Sequence, residues 1–164
     1  MPDPADILRT GFRLHTRLFL NALAGVGSEA AGVRIDERTN SPAFIALHLV
    51  DVRHLHGGVP RSLGDRAENP FAALMAGVGT IGELRAMPEL DDIRAAWTSV
   101  SAILDARLGQ AGAATLAAAS PQSFPVDDAT PAGGLTFLLL ARGLAHRPAR
   151  PPSQALRLSA MTYG

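Results

Sequence analysis

Apolar residues recur along this chain at helical spacing. Leu8, Phe12, His15, Phe19 and Leu23 share one face of a helix predicted from about Pro4 to Leu23, with Gly25 and Gly27 ending it. A second helix starts near Pro42 and places Phe44, Ile45, His48, Val52 and Leu55 on one stripe. Gly57, Gly58 and Pro60 stop it. Asn69 and Pro70 open a short helix through about Met75, followed by a loop with Gly77, Gly79 and Gly82. A third long helix runs from near Pro88 to about Leu108, its buried stripe being Ile93, Trp97, Val100, Leu104 and Leu108. Residues 109–130 are mixed, and a fourth long helix begins at Pro131 and carries Leu135 to Leu140. No segment alternates with the period of two that a half-buried strand requires, and no repeat is visible. The pattern predicts an all-α, up-and-down four-helix bundle, a single domain over residues 1–164.

Helix starts are marked by short polar residues followed by proline: Asp3-Pro4, Ser41-Pro42, Asn69-Pro70 and Thr130-Pro131. The polar side chain accepts a hydrogen bond from a free backbone N–H of the first turn. Proline at the first helical position sacrifices nothing there, because its N–H would be unpaired anyway.

Composition narrows the function classes. Among 164 residues, 47% are hydrophobic and 18% charged, as in a folded domain with one core. Fifteen basic residues balance fifteen acidic ones, so the chain carries no electrostatic footprint for nucleic acid or an anionic membrane. No cysteine is present, which excludes disulfides, thiolate metal sites and a cysteine nucleophile. The first residues lack a basic stretch followed by an apolar one, and no apolar run reaches membrane-spanning length, so a cytoplasmic location is expected. No glycine-rich phosphate loop follows a strand, and there is no Gly-x-Ser-x-Gly elbow.

Among the titratable residues, His48 stands out on its apolar stripe, where it reads either as a metal ligand or as a packed core histidine. Asp51, three residues later, can orient or pair with a cation, or be a solvated rim carboxylate. His54 and His56 read as solvated residues at a helix end, where a protonated imidazole favours the dipole. His15 and Trp97 read as core, and Asp127-Asp128 as a helix start.

The capped run Asn40 to Arg53 with His48 on its apolar face resembles the second helix of the DinB/YfiT-like (damage-inducible) four-helix-bundle family. Arg17 to Leu23, Leu90 to Trp97, Phe124 to Asp128 and Leu135 to Leu140 resemble its other helices. The resemblance implies a bundle holding a divalent ion (zinc, nickel or iron) through three histidines. It also implies metal-dependent thiol-transferase or hydrolase chemistry on a small-molecule substrate. His48 matches the first ligand. The positions of the other two, a His-x3-His pair, are occupied by Ala141 and Ala145, so the site is incomplete as written, and His146 lies one residue out of register. The alternative is a non-catalytic helical-bundle scaffold or a homodimerising binding protein, with neither nucleic acid nor membrane as partner.

Residues 141–159 are rich in arginine and proline, with Arg142, Arg147, Arg150 and Arg157 and no acid; Pro148, Pro151 and Pro152 oppose a helix there. Codons allowed for Ala141 to Ala149, read one base later, spell His-Glu-Ala-Trp-His-Ile-Gly-Gln, the signature of the family's last helix. This reading is a double frameshift across roughly residues 141–158, and the nucleotide sequence of codons 138 to 160 tests it.

Overall fold

A computed structural model describes residues 3–37, 39–57, 67–119 and 130–144. All regular structure among them is helical: α1 (Pro4–Ala22), α2 (Ser28–Gly32), α3 (Pro42–Gly57), α4 (Ala72–Met75), α5 (Leu90–Gln110), α6 (Ala113–Ala117) and α7 (Pro131–Leu144), with a 3-10 turn at Ile81–Glu83. The tail from residue 145, Asp127, Asp128, and the side chains of Leu55 and His56 lie outside the described part.

The capping pairs work as the sequence suggests. The Asp3 carboxylate accepts from the Ala5 N–H at 2.9 Å, Ser41 Oγ from the Phe44 N–H at 3.2 Å, and Thr130 Oγ1 from the Gly133 N–H at 3.1 Å. Asn69 accepts from the Phe71 N–H at 2.9 Å, but it closes a turn, and α4 starts only at Ala72. α5 begins at Leu90 instead of Pro88. α1 ends at its C-cap Leu23, and Gly25, two residues on, adopts φ of 73°, a left-handed conformation that turns the chain away without strain on a side chain.

Cross-helix contacts fix the directions. Phe19 of α1 stacks on Trp97 of α5 with ring centroids 4.1 Å apart, while Arg9 reaches Asp105 at 2.9 Å, so α1 and α5 run antiparallel. The Arg53 side chain, late in α3, reaches Phe12 and Thr16, whereas Pro42 and Ala46, early in α3, face Phe19 and Leu23. α3 is therefore antiparallel to α1 and parallel to α5. α7 runs with α1: Leu135 is buried with Ala5, Leu8 and Phe12, and Leu139 lies against Gly11. The expected up-and-down order is thus corrected. The second and third long helices point the same way, because the connection between α3 and α5 is long enough to return the chain to its starting end.

Two apolar clusters fill the bundle. One joins Phe19, Leu47, Val50, Ile93 and Trp97; the other joins Leu8, Phe12, Leu104, Leu108 and Leu135. The α5 stripe Ile93, Trp97, Val100, Leu104, Leu108 is fully buried, as expected.

Candidate functional site

The face of α3 that enters the core only partly matches the stripe the sequence pattern picks out. Ala43, Phe44, Ala46, Leu47, Val50, Arg53 and His54 are buried, so Phe44 is inside as expected, while Ile45 and Val52 are half-buried. His48 is exposed. At about 100° per residue it lies roughly 100° to 160° around the helix from Leu47, Val50 and His54. The expectation of His48 on the buried stripe is therefore corrected. α3 is apolar nearly all round from Pro42 to Val52, so periodicity alone could not choose between two apolar faces.

His54 is corrected in the opposite sense. Its side chain is 2% exposed, and the Nδ1–H donates to the Val50 carbonyl at 3.1 Å. Asp51 is half-buried and accepts from the Asn69 amide at 2.7 Å, so it ties α3 to the segment before α4. It lines a hollow of about 460 Å³ with Glu68 and Asn69.

Arg53 is the functional-looking residue that the sequence reading missed. It is 2% exposed. Its Nη2 donates to Thr16 Oγ1 at 3.0 Å and to the Phe12 carbonyl at 3.3 Å. Its guanidinium carbon sits 4.1 Å from the Trp97 ring centroid and 5.3 Å from that of Phe12. A planar cation within reach of two aromatic rings gains from both, an arrangement a lysine could not reproduce. Trp97 donates Nε1–H to the Thr16 carbonyl at 3.3 Å, and Ser101 Oγ donates to the Trp97 carbonyl at 2.5 Å. These groups make a polar band between the two apolar clusters; the Arg53 and Trp97 side-chain contacts hold helix to helix, while the Ser101 bond lies within α5. A signal was present in the sequence: Ala46, Val50 and Arg53 follow the same helical spacing as Leu47, Val50 and His54.

The histidines are dispersed. His15 lies on α1 facing a cleft, His48 faces outward on α3, and His54 lies inside. Among the described residues, no group of three histidine, aspartate or glutamate side chains is placed to hold a metal ion. A second charged cluster joins α1 to α5. Arg9 and Arg13 both clasp Asp105, with Nη2 of each 2.9 Å from Oδ2. Hydrogen bonds from Arg9 and then Arg13 hold the Asp105 carboxyl well below the usual carboxylate range.

An apolar cleft of about 490 Å³ opens between α1 and α3. Leu18, Phe19 and Ala22 form one wall, Ile45, Ala46 and Leu49 the other, and Trp97 the floor. It continues the line of α7. Leu139 lies beside Gly11, and the α1 wall of the cleft begins at His15, further along in the direction α7 travels. On the α3 side, Val52 packs into the cluster that holds Leu135, and Leu49 and Ile45 carry the same face onward. No described helix is long and apolar enough to cross a membrane. Compared with known protein families, curated proteins and solved structures, the chain has no match.

Proposed function

We propose that this chain is a non-catalytic helical-bundle binding protein whose working surface is the cleft between α1 and α3. The observation that carries this reading is the apolar, Trp97-floored opening of about 490 Å³, the size and character of a site for an apolar group or a helix face. The described side chains with chemical capacity support it by their engagements. Asp51 is held by Asn69, His54 by its own helix backbone and Asp105 by two arginines, while His48 stands apart on the surface. A DinB/YfiT-like lineage enters as a proposal of descent, supported by the all-helical fold and the capped helix that carries His48. A divalent ion, metal-dependent transfer or hydrolysis, and a cytoplasmic location belong to that lineage reading.

Two titrations on the purified full chain test the proposal. An apolar dye such as anilinonaphthalene sulfonate is expected to bind at one site per chain, and the cleft-filling variant Ala46→Trp is expected to abolish that binding. Tight uptake of one zinc, nickel or iron ion per chain, lost in His48→Ala, would overturn the reading in favour of a metal protein.

A further inference from the structure

We draw no further inference here: the strongest candidate, the exposed apolar stripe Ile7, Leu14 and Leu18 on α1 that runs on into the wall of the α1–α3 cleft, lies beside the continuation of α7 past Leu144, outside the described residues, and nothing in the structure shows what covers it.

Discussion

Trp97 combines a ring stack, a cation over its face and an indole hydrogen bond, and its truncation gives the sharpest test of the packing argument. The residue is fully buried. It stacks on Phe19 at 4.1 Å with the planes inclined by 18°, carries the Arg53 guanidinium at 4.1 Å and donates to the Thr16 carbonyl at 3.3 Å. Removing a fully buried indole costs about 3–5 kcal/mol in burial and cavity formation. The stacked pair adds about 0.5–1.5 kcal/mol and the hydrogen bond about 1 kcal/mol. Trp97→Ala should therefore cost about 5 kcal/mol or more, a large part of the 5–15 kcal/mol that holds an ordinary domain together. That variant risks not folding, so Trp97→Phe is the quantitative probe. It keeps an aromatic ring against Phe19 while losing the Nε1 donor and part of the volume, and about 1–2 kcal/mol of destabilisation is expected. Urea denaturation followed at 222 nm by circular dichroism reads it, since the only tryptophan is gone from both variants. A double-mutant cycle with Phe19→Leu should return a coupling of about 0.5–1.5 kcal/mol. A loss below about 1 kcal/mol for Trp97→Ala, or no coupling to position 19, would refute the placement of this side chain.

Three further outcomes are expected. A side chain at Gly11 would meet Leu139, whose Cδ1 lies 3.0 Å from an added Cβ, so Gly11→Val should cost about 1–3 kcal/mol by displacing α7, measured by chemical denaturation and by faster amide exchange in residues 131–144. The Asp105 carboxyl titrates lower in the folded chain than the ordinary value near 4, so its stabilisation is complete above that value and fades as the pH falls below it. The urea midpoints of wild type and Asp105→Asn should differ by about 1 kcal/mol at pH 6 and converge on acidification; a difference that grows toward pH 3 would reverse the sign of the argument. Exposed His48 and buried His54 should separate cleanly: His48→Ala should shift stability by less than about 0.5 kcal/mol and His54→Ala by about 2 kcal/mol or more, and comparable losses at both would contradict the orientation of α3.

The parts of the fold that were legible in the sequence are those where a local signal and a packing signal agree. α1 combines a start capped by Asp3 with one apolar stripe, α5 has the stripe without a side-chain cap and starts two residues later than the spacing suggests, and the buried residues of both follow the spacing. α2 and α6 are five residues long and begin after glycines that offer no side-chain cap, so neither periodicity nor a cap marks them. α3 was legible as a helix but only partly in its rotation: Phe44 is buried as the spacing selects, and His48 is not. With apolar residues on nearly every side, its phase is set by where Arg53 and His54 are accommodated, and that depends on Phe12, Thr16 and Trp97 from other helices. A cation near a helix end reads as solvated because water and the helix dipole both favour it there. Only the tertiary structure supplies two aromatic faces, a hydroxyl and a carbonyl to replace that water. The site reading inherited the error in phase: it gave His48 the interior position that His54 occupies.

The pairing of α1 with α5 has a consequence for how this chain is made. The Thr16 carbonyl and the Trp97 indole that closes on it are 81 positions apart. At roughly 5–20 residues per second, the ribosome delivers Trp97 between about 4 and 16 s after Thr16. α3 is complete at Gly57, 40 residues before Trp97, so for about 2–8 s of that interval the inner faces of α1 and α3 have each other but not the helix that covers them both. Phe12, Phe19, Leu47 and Val50 are the side chains at risk of meeting the wrong partner during those seconds. Substitutions that leave the finished bundle as stable as before, yet make these faces stickier, should show themselves as lower soluble yield during synthesis.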